Sequence, residues 1–303
     1  MHGRPGIALW QIIVAAVIVV AGLATLGAFL MVGVLKRAQE MTNRTICMSN
    51  LRSINSAIVL YRSANDGAYP WLYDTMTAWD TTPVGANRDV NPFGTGDDPN
   101  NPKPRSITAL IFMLVRQDQP PGMFRCPSDK SSVWDRDSKA RRDDGDKTSG
   151  VLEGEYYWDF SKPENVSYSW QAPIWKDGRF LQGIDNAETE TVVIADMTPP
   201  ATKASWKPAD ISHLPPKAVM AQNSPNHQVE QNNLLLVAGN VIAAKRPDKT
   251  AGLGGGIMDN IYTAGGSEAN GSQWHGSTSL DIHKHLSPRD TFLIGPVGRS
   301  EAE

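Results

Sequence analysis

Residues 7–35, IALWQIIVAAVIVVAGLATLGAFLMVGVL, decide the architecture of this chain. With Gly6 they form an uncharged run of 30 residues in which only Gln11 and Thr25 break the apolar character. At about 1.5 Å of rise per residue, a helix of this length exceeds the roughly 30 Å hydrocarbon core of a bilayer. A secretory signal has a shorter apolar stretch, about 7–15 residues, with a small-residue cleavage site soon after it. Here Lys36 and Arg37 follow at once, and a helical pattern continues without a breaker. The run therefore reads as a retained membrane anchor or assembly element. Gly22, Gly27 and Gly33 fit a membrane helix, where small residues either let neighbouring helices approach closely or simply face lipid.

From Lys36 to Asn65 the chain holds no Pro and no Gly. Cys47, Leu51, Ile54, Ile58 and Tyr61 recur at spacings of four, three, four and three, which makes one apolar stripe on a helix. Arg44, Asn50, Arg52, Asn55 and Arg62 fall off that stripe. Asn65-Asp66-Gly67, followed by Tyr69-Pro70, is helix-ending chemistry. One helix spanning residues 7–64 is predicted, its first half in lipid and its last turns packed on a head.

Residues 71–105 are turn-rich and read as a surface excursion. Ser106 to Arg116 (SITALIFMLVR) predicts a short helix capped by Ser106, with Leu110, Met113 and Leu114 as its buried face. MFRCPSD follows as an extended segment and turn, and the charge-dense stretch from Asp135 to Lys147 reads as a solvated loop. Val166 to Trp170 alternates as a strand, and Thr191 to Ala195 (TVVIA) is a short buried run. Asn233 to Ala244 predicts a hairpin with Gly239-Asn240 as a two-residue turn. After Pro247 the chain is Gly-rich and reads as peripheral. The fold class is α+β: a long N-terminal helix packed on a small antiparallel sheet with long loops.

All 32 acidic residues and 28 of the 29 basic ones follow Leu35, so that portion is close to neutral. A nucleic-acid binder would carry a basic patch, and that class is set aside. Two cysteines, Cys47 and Cys126, make no disulfide framework; they are either one bridge outside the cytoplasm or two buried thiols. Arg4 flanks the apolar run on one side and Lys36, Arg37 and Arg44 on the other; a bare positive-inside count would put the C-terminal side in the cytoplasm, Glu40 dilutes that count, and charge alone leaves both topologies open.

The landmarks resemble, in their order, prepilin-like proteins with a type II secretion pseudopilin N-terminus, numerous in planctomycetes and related bacteria. Gly6 followed by Ile7-Ala8-Leu9-Trp10-Gln11 falls in the register of the family's Gly, Phe-Thr-Leu-Ile-Glu start. Cys47-Met48-Ser49-Asn50-Leu51-Arg52-Ser53-Ile54 is similar to its Cys-x-Ser-Asn-Leu-Lys-Gln-Ile segment, and Asn65 to Pro70 to its helix-ending segment. Phe124-Arg125-Cys126-Pro127-Ser128-Asp129 is similar to its Cys-Pro-Ser-Asp element. Asn226-His227 with Asn232 to Val241 is similar to its closing hairpin, although Ala238 and Asn240 stand where Asp and His are usual.

The resemblance implies a pilin-like fold divided into a leader (1–6), a transmembrane part (7–35), a soluble part of the helix (36–65), a head (66–246) and a C-terminal extension (247–303). It implies cleavage after Gly6, Ile7 as the new N-terminus, and a single pass through the inner membrane with the head in the periplasm, against the charge count. Its partners would be membrane lipid and other pilin-like subunits or secretion-machine proteins. Gln11 stands where the family has Glu; a buried carboxylate implies a paired amine, and a neutral amide offers only a hydrogen bond. Gln11 is thus the expected assembly contact. The alternative is a static anchored envelope protein whose head binds a ligand or protein.

No catalytic constellation is evident and no enzyme is expected. His275, His283 and His285, near Asp281, have the spacing of a zinc pair, but no second motif completes a site. They read as surface histidines, and neither metal nor cofactor is expected. Asp185, Glu188, Glu190 and Asp196 flank TVVIA and read as solvent-facing carboxylates rather than a calcium site. Trp158, Trp170, Trp175 and Trp206 read as core and rim packing or as an aromatic face. His227 reads as structural.

Overall fold

The computed structural model describes residues 9–67, 69–70, 84–85, 107–130, 157–171, 174–176, 179–181, 191–197, 215–220, 222–247, 261–264, 273–274 and 293–295. Gly6, Ile7, Asp185, Glu188, Glu190, Trp206, His275, Asp281, His283 and His285 lie outside the described residues, as does the side chain of Trp175. The chain divides into two units, Met1–Asn43 and Arg44–Glu303.

Helix α1 (Leu9–Ala64) runs 56 residues and bridges the two stretches read above as one helix. In the first unit its large apolar side chains all face outward, from Val14 at 46% exposure to Phe29 at 79%. An 18-residue window of mean hydropathy 2.7 makes it, among the described residues, the one helix long and apolar enough to cross a membrane. The hydroxyl of Thr25 donates to Gly22 O at 2.9 Å, so a polar group in the apolar run is satisfied within its own helix.

In the second unit the stripe Cys47, Leu51, Ile54, Ile58 and Tyr61 is buried, as its spacing requires. The helix stops where the backbone turns left-handed, at Asp66 (φ 51°) and Gly67 (φ 83°). Gly67 N donates to Arg62 O at 2.9 Å, and the Arg62 guanidinium lies 4.3 Å over the Tyr69 ring.

Helix α2 (Ile107–Arg116) is buried more broadly than one face. Thr108, Ala109, Ile111, Phe112, Leu114 and Val115 are all buried, whereas Met113 is only half-buried. Ser106 and the side chain of Leu110 lie outside the described residues. The polar member of the set is satisfied, since Thr108 Oγ1 donates to Asp159 Oδ1 at 2.7 Å. Phe112, Phe124 and Trp170 then join through Phe160 and Phe124, with centroids 5.1, 5.4 and 6.1 Å apart in succession. Trp170 is thus core. Trp158 packs at the rim beneath the Arg116 guanidinium, 3.5 Å from its ring centroid.

The strands are β1 (Tyr168–Gln171), β2 (Ile174–Lys176), β3 (Arg179–Leu181), β4 (Val192–Asp196), β5 (Asn232–Leu236), β6 (Val241–Ala244), β7 (Thr263–Ala264), β8 (Gln273–Trp274) and β9 (Leu293–Ile294), with a short helix α3 (Pro216–Met220) before β5. Five strands form one sheet in the order β6-β5-β4-β1-β9, every pair antiparallel. Two separate ribbons pair β2 with β3 and β7 with β8.

The hairpin β5–β6 has a longer loop than a two-residue turn. Leu235 pairs with Val241, Leu236 N donates to Asn240 O at 2.9 Å, and Gly239 N donates to Leu236 O at 2.8 Å. Val237, Ala238 and Gly239 make the loop, and Gly239 takes the left-handed position (φ 83°) that closes such a three-residue connection.

Both faces of the sheet are covered, which explains why its central strands read as continuous apolar runs. Leu235 faces the cluster built on α1 and α2, while Leu234 and Leu236 face a second cluster. A register shift between Val192 and Ile194 turns both Val193 and Ile194 toward the first cluster, leaving Val192 and Ala195 to the second. β1 is buried at all four positions, so the apparent alternation of VSYSW does not mark a solvent face. Residues 247–303, expected to be peripheral, supply Ile261, Tyr262 and Leu293 to the second cluster and β9 to the sheet edge. The doubly apolar strands need that cover.

Candidate functional site

A polar centre sits inside the head where α1, the Cys126 segment, β4 and the β5 entry meet. Cys47 and Cys126 are joined as a disulfide, with Cα atoms 5.4 Å apart and both residues fully buried. His227, also fully buried, brings Nε2 to 3.5 Å from Cys126 Sγ, 2.9 Å from Asn233 Nδ2 and 3.6 Å from Asp196 Oδ2. Asp196 closes β4, and its Oδ2 accepts a hydrogen bond from Asn233 N at 2.6 Å.

The backbone that presents His227 is strained. His227, Gln228 and Val229 have φ of 55°, 59° and 59°, three successive non-glycine residues in the left-handed region. Each such L-residue costs about 1–2 kcal/mol, and a β-branched valine there is a genuine outlier. Surrounding groups hold the turn. Asn223 Nδ2 donates to Val229 O at 3.0 Å, Arg44 donates to His227 O at 3.2 Å, and Glu230 N donates to His227 O at 3.2 Å. Asparagines brace the same loop. Asn226 Nδ2 donates to Ser167 O at 3.1 Å, and Asn232 Nδ2 donates to Asn223 Oδ1 at 2.7 Å.

A chain of side-chain hydrogen bonds fixes the state of the imidazole. Arg44, which has no acceptor, donates to Gln231 Oε1 at 3.5 Å, so the Gln231 amide turns its Nε2 inward. That nitrogen donates to Asn233 Oδ1 at 3.2 Å. Asn233 is thereby oriented to donate Nδ2–H to His227 Nε2. In this arrangement His227 Nε2 accepts from Asn233 Nδ2–H, so its one lone pair is directed at that amide, with Cys126 Sγ and Asp196 Oδ2 beside the nitrogen at 3.5 and 3.6 Å. Arg44 is itself held by Glu230 Oε2 at 2.5 Å.

Two tyrosines frame the centre. Burial, and then the Asp196 charge, push the Tyr168 phenol far above its ordinary value, while a hydrogen bond from Asn50 works the other way. Tyr262 is raised well above that value by the same two causes. Tyr262 OH donates to Asp196 O at 3.2 Å and lies 3.1 Å from Asn232 Oδ1.

Phenols that ionise at higher pH in the folded than in the unfolded chain give stability that is complete below about pH 10 and is lost as pH rises beyond it. With both tyrosines protonated when folded and ionised when unfolded, stability is expected to fall by about 2.7 kcal/mol per pH unit above that point. Urea midpoints measured at stepped alkaline pH check the slope. A smooth native-state titration of all seven tyrosines near the ordinary value would contradict it.

Of the residues singled out from sequence, the structure brings together Cys47, Cys126 and His227. Asp196 proves to be wholly buried within the fold rather than solvent-facing. Gln11 is exposed on α1 in the first unit. Arg44, Gln231 and Asn233 were not read from sequence as a functional group. Gln231 and Asn233 show there only as polarity at the mouth of a strongly apolar strand, and Arg44 only as a residue off the helix stripe. No family model, curated protein or solved structure matches this chain.

Proposed function

We propose that the chain is a membrane-anchored, pseudopilin-like structural protein, a component or relative of a type II secretion or type IV pilus-like assembly. It would cross the inner membrane once and display its α+β head in the periplasm. The observation that carries this reading is helix α1, one 56-residue element whose early side chains are apolar and exposed and whose last turns form the core of an antiparallel head. A disulfide in the head suits an oxidising compartment outside the cytoplasm.

Mass spectrometry of the chain isolated from membranes tests the processing step, with a mature N-terminus at Ile7 expected. A photo-crosslinking residue at Ile18, which is 65% exposed on the apolar helix, is expected to capture another pilin-like chain. A chain that begins at Met1 and captures only lipid overturns the assembly reading and leaves a static single-pass anchor. The neutral Gln11 is the residue that favours that second outcome, because it cannot neutralise a neighbour's N-terminal amine.

A further inference from the structure

Cys47, Cys126 and His227 have the composition of a zinc-binding cluster. Each presents one ligand atom, all within 4.8 Å of one another, and all three residues are buried. Zinc bonds of about 2.3 Å to sulfur and about 2.0–2.1 Å to nitrogen give a tetrahedral edge of about 3.5 Å for S···N. The observed Cys126 Sγ to His227 Nε2 distance is 3.5 Å. Two thiolates and an imidazole favour zinc among the common divalent ions. His227 Nε2 already lies beside Cys126 Sγ, and a metal would take the lone pair that Asn233 Nδ2–H occupies in the disulfide form.

We propose that this centre is a clasp with two alternative closures: a disulfide when oxidised, and a zinc ion held by Cys47, Cys126 and His227 when reduced. Reduction by a dithiol delivers two electrons and two protons, breaks the S–S bond and leaves two thiols, while the dithiol becomes a disulfide. Zinc then displaces both thiol protons and forms two Zn–S bonds. Reoxidation by a small disulfide takes two electrons from the thiolates, re-forms the S–S bond and releases the ion. The sulfurs move apart from bonding distance to a tetrahedral edge of about 3.8 Å, a side-chain adjustment of under about 2 Å. In either state the same helix is fastened to the same segment of the head.

The test uses the full-length chain in detergent micelles, reduced, freed of reductant and metal without air, and titrated with Co(II) as the probe and Zn(II) as competitor. One Co(II) per reduced chain is expected, with a thiolate-to-cobalt charge-transfer band and the intense d–d bands of a tetrahedral site, all abolished by Zn(II). The oxidised chain, which keeps all six histidines, is expected to show none of these bands. His227→Ala is expected to weaken Co(II) binding by more than ~10-fold. Should that variant fail to fold by circular dichroism, zinc-edge X-ray absorption of the reduced wild-type chain decides. Two sulfurs and an imidazole nitrogen support the clasp; sulfur and water alone overturn it. A reduced chain that binds no cobalt, gives an octahedral spectrum, or binds equally well as folded His227→Ala also overturns it.

Discussion

Replacing Cys47 and Cys126 together by alanine is expected to lower the stability of the folded head by about 4.5 kcal/mol. The bridge spans a sequence separation of 79 residues, and a cross-link that closes so long a loop removes much of the freedom of the unfolded chain. Both sulfurs are fully buried in the cluster with Leu51, Ile54 and Phe124, so their loss also leaves small voids. A domain of ordinary stability has only about 5–15 kcal/mol in all, and the double variant is expected to sit near the limit of folding. Guanidinium unfolding of the full chain in detergent, followed by tryptophan fluorescence, checks this. A midpoint shift equivalent to less than about 1 kcal/mol would show that the loop is already constrained without the bond.

His227→Leu is expected to cost about 3–4 kcal/mol, far more than its near-isosteric size suggests. The imidazole nitrogen that accepts from Asn233 disappears, and a buried amide donor stranded without a partner costs about 1–3 kcal/mol. Leucine must also take φ near 55°, a region that histidine tolerates better than aliphatic residues do. The comparison variant is Arg44→Met at the outer end of the same chain of bonds. Its ion pair with Glu230 has side chains 21% and 55% exposed, and its loss is expected to cost about 1 kcal/mol. Urea unfolding of both variants gives the ranking. Equal costs would show that the orientation chain, rather than the buried acceptor, carries the energy.

The long helix and its stripe were legible because a period of 3.6 residues, carried over many turns, leaves little ambiguity. The central strands were legible as apolar runs, but Val192, Val193, Ile194 and Leu234, Leu235, Leu236 are each too short to reveal that both faces are covered. The cover comes from Ile261, Tyr262 and Leu293, members of two- and three-residue apolar groups in a Gly-rich stretch, where strands of two residues leave no periodicity. Helix α2 hid the extent of its burial in a similar way, since a ten-residue segment that is apolar nearly all round does not show how far burial reaches beyond its strongest face. The polar centre is less legible still. Cys47, Cys126, Asp196 and His227 come from four distant parts of the chain, and only the fold makes them neighbours. The Asn-rich entry to β5 was visible as polarity, but its use in orienting the imidazole depends on two amide orientations that sequence does not encode locally.

The disulfide also sets how the protein carries load. A pull applied along α1 passes from Cys47 straight across the bond to Cys126, so the residues between them carry little of the tension while it holds. A single protease cut anywhere in that intervening stretch leaves helix and head one covalent molecule, parted only on a reducing gel. Insertions in the turn-rich sequence between α1 and α2 are thereby uncoupled from mechanical continuity, while the buried stripe of α1 and the residues of α2 in the same span stay tied to the core.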